Sequence, residues 1–155
     1  LSNHNVYQVI QNFIEYFKVR TSEKITFTLE GDNHVEAMLN VPLFEWIIEN
    51  LLKNAVNAID TEGQILVSIK ENIAKEEIFI DISDTGKGIP KSNFDTIFNP
   101  GFTTRQRGWG LGLSLTRRMI RYHKGQIYVK ESEIGKGTTF RIILKSNLNY
   151  EPTQV

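Results

Sequence analysis

Residues 78–90 read IFIDISDTGKGIP. Ile78, Ile80 and Ile82 alternate with bulkier or polar neighbours, the pattern of a β-strand with one buried face. The strand runs straight into a carboxylate, Asp84, and two glycines, Gly86 and Gly88. A tight turn accounts for one glycine; a second asks for a backbone that something else approaches closely. Upstream, 63–71 GQILVSIKE reads as the partner strand, and 126–132 QIYVKES and 138–145 TTFRIILK read as two more around EIGKG. KITFTLE and VEAMLN, residues 24–30 and 35–40, read as short strands around the turn GDNH.

Three helices complete the pattern. Val6, Ile10, Phe13, Ile14 and Phe17 recur at helical spacing, in a helix expected to end near Arg20. Pro42 suits the first turn of a second helix that runs to about Asp60. LGLSLTRRMIRYH, residues 111–123, reads as a third, closed by Gly125. Helices and mostly antiparallel strands segregated in this way predict an α+β fold, a two-layer α/β sandwich with three helices sharing one face of a mixed sheet. The other face is expected to be solvated or covered by another domain. Residues 1–22 form the N-terminal helical segment, 23–146 the core and 147–155 a loose polar tail.

At 155 residues with 40% apolar content, one compact domain can bury a real core. The chain has no cysteine, which excludes disulfides and thiolate metal sites. No run approaches the ~18 apolar residues of a membrane span, and nothing resembles a signal peptide. The opening LSNHNVYQ, without an initiating Met, has the look of a cut from a longer chain. Lys+Arg and Asp+Glu balance at 18 each, which argues against a general nucleic-acid binder. The distribution is less even: from Thr96 to Lys130 there is no acidic residue, while Arg105, Arg107, Arg117, Arg118, Arg121, Lys124 and Lys130 all fall there. Such a field suits a phosphate-bearing ligand, although Arg117, Arg118 and Arg121 read equally well as a solvated helix face.

On the second helix, Phe44, Ile47, Ile48, Leu51, Leu52, Ala55 and Ile59 fill one apolar sector. Asn50, Asn54 and Asn57 fall together within roughly 60° at its border. Asparagine is a poor helix former, so three in one stripe cost stability locally. An amide can donate to phosphate oxygens and place its carbonyl oxygen on Mg²⁺; alternatively, the three bond neighbouring loops.

Three glycine clusters remain: DTGKGI (84–89), GWGLGLSL (108–115) and GKGTTF (135–140). No window fits the mononucleotide pattern G-x-x-x-x-G-K-[ST], and the glycines at 108, 110 and 112 do not fit G-x-G-x-x-G. Their order discriminates: ENLLKNA on a helix, then D-x-G-x-G-I after a strand, then IFNPGFTT, then G-x-G-L-G-L opening a helix, then G-x-G-T-x-F before a strand. In this order the sequence resembles the catalytic ATP-binding domain of bacterial sensor histidine kinases, over about residues 43–144.

The resemblance implies a role for each motif. Asp84 is similar to the carboxylate that accepts a hydrogen bond from the adenine amino group, with Gly86 and Gly88 keeping side chains out of the way of the base and Ile89 beside it. Thr138 is similar to the hydroxyl that helps hold the same edge. Gly108, Gly110, Leu111, Gly112 and Leu113 would line the triphosphate at a helix start, where the dipole favours anions. Asn54 matches the position that coordinates Mg²⁺, with Asn50 reaching phosphates or metal-bound water and Asn57 in the same set. Residues 93–112 resemble a mobile lid; its Phe98, Phe102, Thr103 and Thr104 would border the nucleotide, and Arg105 and Arg107 would approach the β- and γ-phosphates. Trp109 would pack under that lid or stand exposed for docking.

Two positions depart from the family pattern. Asn57 stands where many members carry a basic residue, a role that Arg105 or Arg107 would then fill. Asn50 stands where ATP-hydrolysing relatives carry a general-base Glu, and Glu49 points ~100° away. This implies a kinase rather than an ATPase; the alternatives are an ATPase module driving conformational change and a catalytically silent nucleotide-binding scaffold. His4, His34 and His123 read as structural or surface residues. The resemblance therefore implies an acceptor His on a separate dimerisation domain of the same parent chain, and a downstream response-regulator receiver domain. It implies a cytoplasmic location, with the parent anchored to the inner membrane and this segment outside it.

Overall fold

The computed structural model describes residues 1–102 and 109–147. The five-stranded sheet that organises the chain is built around β5, the strand of the opening motif. Its elements are β2 (Ile25–Gly31), β4 (Gly63–Asn72), β5 (Glu77–Asp84), β6 (Gln126–Glu133) and β7 (Gly137–Lys145), in the order β2-β4-β5-β7-β6. Only the β2/β4 pair is parallel. β1 (Ser2–Asn5) and β3 (Glu36–Leu39) form a separate antiparallel ribbon. The expected mixed, mostly antiparallel α+β sandwich is the fold observed.

Alternation along the strands sends Ile65, Val67, Ile69, Ile78, Ile80, Ile82, Ile142 and Leu144 to one face, each at most 2% exposed. The helices cover that face: α1 (Val6–Lys18) over β2, α2 (Val41–Ala58) over β4 and β5, and α3 (Trp109–Tyr122) over β6. Asn40 caps α2, its side-chain oxygen accepting the Leu43 N–H at 3.1 Å, and Pro42 sits in the first turn as expected. On the opposite face Arg141 makes a two-pronged pair with Asp81 at 2.8 Å for both bonds and lies over the Phe79 ring.

Several expectations are corrected. β2 and β3 flank the GDNH segment as expected but join different sheets: β2 pairs with β4, and β3 with β1. Gly31 leaves the sheet at φ 113°, pressed so close to the Ile69 carbonyl that a side chain would not fit, and the Asp32 N–H donates to Ile69 O at 2.8 Å. β1 has only polar residues, SNHN, and no apolar period that could announce it. The first helix stops at Lys18, and the second at Ala58. The third begins at Trp109 rather than Leu111. Its left-handed closing residue is Lys124, at φ 61°, not Gly125. Gly125 donates to Ile120 O and lies where a Cβ would come within 2.5 Å of Ile143 O, so close approach is what demands glycine there. The tail is pinned at its start: the Asn147 N–H donates to Glu36 O at 2.7 Å and its amide reaches the Asn3 side chain at 2.9 Å. His123 is buried, one ring nitrogen on Met119 O and the other accepting the Asn40 N–H, which makes it a structural residue. Among the described residues no helix is long and apolar enough to cross a membrane.

Candidate nucleotide site

Asp84 is the last residue of β5 and faces the helix layer, 8% exposed. Burial in that apolar layer pushes its carboxyl up to about 6, against the opposing pull of backbone hydrogen bonds from Gly86 and Thr138. The Gly86 N–H donates to Asp84 Oδ1 at 2.8 Å, so one oxygen is fixed by the loop itself.

That loop is fastened on two sides. On one, the Lys87 N–H donates to Ala58 O, at the end of α2, at 2.9 Å. On the other, the Gly135 N–H donates to Lys87 O at 2.8 Å and the Ile89 N–H to the Ser132 hydroxyl at 2.7 Å. The glycines also have a reason within the protein itself. A Cβ on Gly86 would lie 2.5 Å from Ala58 O, and one on Gly88, at φ 82°, 2.3 Å from Glu133 O. The body that approaches them is the protein's own backbone, which holds Asp84 in a rigid frame.

Thr138 is the direct cross-strand partner of Asp84 and is 5% exposed. Its hydroxyl lies 2.7 Å from that of Ser132. Asp84, Ser132, Gly137 and Thr138 line one cleft together with Glu131, Glu133 and Lys136. Gly137 is required here, because a Cβ on it would collide with Asp84 O. Sequence reasoning marked Gly137 only as part of GKGTTF and did not single out Ser132, since a serine in a strand is commonplace and its importance comes from sheet register.

The asparagine stripe lies on α2, with Asn50, Asn54 and Asn57 all half-buried. Gly112 on α3 approaches it, its Cβ position 3.4 Å from Asn50 Oδ1. Asn50 Nδ2 is buried with no hydrogen-bond partner among the described residues. A buried unpaired N–H costs roughly 1–3 kcal/mol, so this donor is poised for an acceptor that a ligand would bring. A phosphate oxygen fits that need. Among the described residues no group of three His, Cys, Asp or Glu could hold a metal ion, so Mg²⁺ here would rest on an amide oxygen, phosphates and water.

The remaining expected residues divide. Phe98 is a core residue, 2% exposed, edge-on to Phe140 with the Arg117 guanidinium over its ring. Leu113 is buried; Phe102 and Ile89 pack partly exposed against the core. Arg118 and Arg121 are exposed. Gly110 and Leu111 belong to the first turn of α3. Thr103, Thr104, Arg105, Arg107 and Gly108 lie outside the described residues.

Residues 39–148 match the model of a family described as histidine kinase-, DNA gyrase B- and HSP90-like ATPases. The chain belongs to this family. The matched span holds every motif of the site, from the asparagine helix to GKGTTF. Within the family, the chain is 42% identical over 98 residues to the sensor histidine kinase ZraS of Salmonella typhi, covering 63% of this chain and 21% of that protein. It therefore spans about a fifth of the length of that relative. The nucleotide-free catalytic domain of the histidine kinase ThkA superposes with a TM-score of 0.82 at 24% identity, over 93% of this chain and 94% of that one. A structure of ThkA in complex with the response regulator protein TrrA aligns with a TM-score of 0.78 at 25% identity, covering 92% of this chain and 41% of that one.

Proposed function

We propose that this chain is the ATP-binding catalytic domain of a sensor histidine kinase, and that it delivers the γ-phosphoryl group to a His on a separate dimerisation domain of its parent. The observation that carries the reading is the buried Asp84 carboxylate, held by the Gly86 N–H and presented into a cleft beside Thr138. An ionised carboxylate there accepts from the adenine 6-amino group and repels the 6-oxo group of guanine. The phosphates would then run toward the first turn of α3 and the α2 amides. The unpaired Asn50 donor supports that direction. Asn54 is the proposed Mg²⁺ ligand, with Arg105 and Arg107 at the β- and γ-phosphates and residues 93–112 as the lid. Mg²⁺, when bound, would neutralise charge on the phosphates.

In the transfer, an imidazole nitrogen of the acceptor bonds to the γ-phosphorus as its bond to the β,γ-bridging oxygen breaks, and ADP leaves. The neutral amide of Asn50 has no basicity with which to activate water, which favours transfer over hydrolysis. The partners proposed are the dimerisation domain and a response-regulator receiver, the latter supported by the regulator in the ThkA complex. A cytoplasmic location, with the parent anchored in the inner membrane, belongs to the same proposal. The test is to incubate the full parent chain with γ-labelled ATP. Acid-labile, alkali-stable label on a His outside residues 1–155 is expected; rapid phosphate release with no protein label would instead favour the ATPase alternative.

A further inference from the structure

We propose that Ser132 sets the hydrogen-bond polarity of Thr138, leaving an acceptor-only wall beside Asp84 that selects a 6-amino over a 6-oxo purine. This rests on the nucleotide reading above and adds a specificity-determining position to it.

The sheet itself brings Ser132 into place. Val129 points to the core, so an unbroken β6 would send Glu131 inward and Ser132 out. The irregularity between Val129 and Glu131 reverses that phase and pairs Ser132 with Thr138 on the helix side. There Ser132 Oγ has three neighbours: Ile89 N at 2.7 Å, Gly137 O at 3.0 Å and Thr138 Oγ1 at 2.7 Å.

A hydroxyl has one proton and two lone pairs. The Ile89 N–H can only donate, so it takes one lone pair. Gly137 O can only accept, so it takes the proton. Thr138 must then give its own proton to the second lone pair of Ser132. The reverse arrangement, with Ser132 donating to Thr138, would press two bare oxygens together at 3.0 Å at Gly137. With its proton committed, Thr138 offers the cleft only lone pairs. Asp84 beside it is also an acceptor. A ring edge bearing two amino hydrogens satisfies such a wall, whereas a carbonyl oxygen meets acceptors on both sides.

The experiment is calorimetric titration of the intact chain with ADP and with IDP, which differ at the purine 6-position. Ser132→Ala releases the Thr138 proton to turn outward and donate to a 6-oxo group. The ADP:IDP affinity ratio should fall about five- to ten-fold, largely through gained IDP affinity. Ser132→Thr should restore the ratio. In a Thr138→Val background there is no proton to release, so Ser132→Ala should leave the ratio where Thr138→Val put it. A folded Ser132→Ala variant with the wild-type ratio, or the same fall in both backgrounds, would overturn the proposal. If Ser132→Ala melts early, Thr138→Ser against Thr138→Val decides: the serine should keep the ratio and the valine lose ADP affinity, and equal binding by both overturns it. Asp84→Asn is run alongside. No ADP binding by wild type, or no response to Asp84→Asn, defeats the nucleotide reading itself; a normal Asp84→Asn response with a flat Ser132→Ala ratio defeats only the role of Ser132.

Discussion

Asp84 and Gly86 are joined by a 2.8 Å hydrogen bond from the glycine amide to the carboxylate, and the same glycine is wedged against the end of α2 at Ala58. The acid proposed to read the base is thus located by the helix that carries the asparagines. The proposed base and phosphate ends of the site are joined through one turn.

Replacing Asp84 with Asn forces a conflict. Both Gly86 and Thr138 offer backbone N–H groups to the carboxylate, but an amide has only one accepting atom. Its NH₂ must then face one of those donors or the adenine amino group. ADP affinity at pH 7.5 should weaken about ten- to a hundred-fold by calorimetry. An unchanged Kd would remove Asp84 from the site.

The pH dependence of stability has a definite sign. The Asp84 carboxyl titrates at about 6 when folded, against an ordinary value of 3.8. A raised carboxyl favours the protonated folded state, so its contribution is complete below pH 4 and disappears as pH rises through 6. The fall should amount to at most about 3 kcal/mol. Urea unfolding of wild type and Asp84→Asn between pH 4 and 7 measures it: the mutant should lack this component. Because an adenine amino group favours the ionised acid, ADP affinity should fall in the opposite sense, as pH drops below 6. A wild-type stability profile parallel to the mutant's would contradict the buried-acid account.

Gly86 and Gly135 offer a controlled pair. Alanine at 86 meets Ala58 backbone at 2.5 Å, whereas alanine at 135 meets nothing within 4 Å and suffers only its φ of 83°. Gly135→Ala should cost about 1 kcal/mol. Gly86→Ala should cost more than twice that, with loss of ADP binding as Asp84 is displaced. Equal melting temperatures for the two would mean that the loop yields more easily than this packing implies.

Local pattern made much of this legible. The apolar sector of α2 and the alternation in β5 each carry their own period, and Pro42 marks the first turn of α2. What escaped depends on partners distant in the chain. The parallel pairing of β2 with β4 joins residues some forty positions apart, as Ile25 with Gly63, and no turn announces it. Ser132 is invisible for the same reason: a shift in β6 and the register with β7 give it its three neighbours. The glycines of DTGKG were conspicuous, yet their cause lay in Ala58 and Glu133, which no motif links to them.

The amides on α2 provide the last test. Asn50 Nδ2 is buried and has no partner among the described residues, so Asn50→Ala removes no hydrogen bond identified there in the nucleotide-free domain. Its unfolding free energy should change by less than about 1 kcal/mol. Binding should tell a different story if the proposed phosphate satisfies that donor: Mg²⁺–ADP affinity should drop about ten-fold or more. Asn54→Ala should separate metal from base. Metal-free ADP should bind it nearly as wild type does, while added Mg²⁺ gives little further gain, and phosphoryl transfer in the full parent chain should be lost. If Asn54→Ala keeps the wild-type response to Mg²⁺, the metal ligand lies elsewhere; if Asn50→Ala destabilises the free domain strongly, that amide is a structural bond and its role toward phosphate falls.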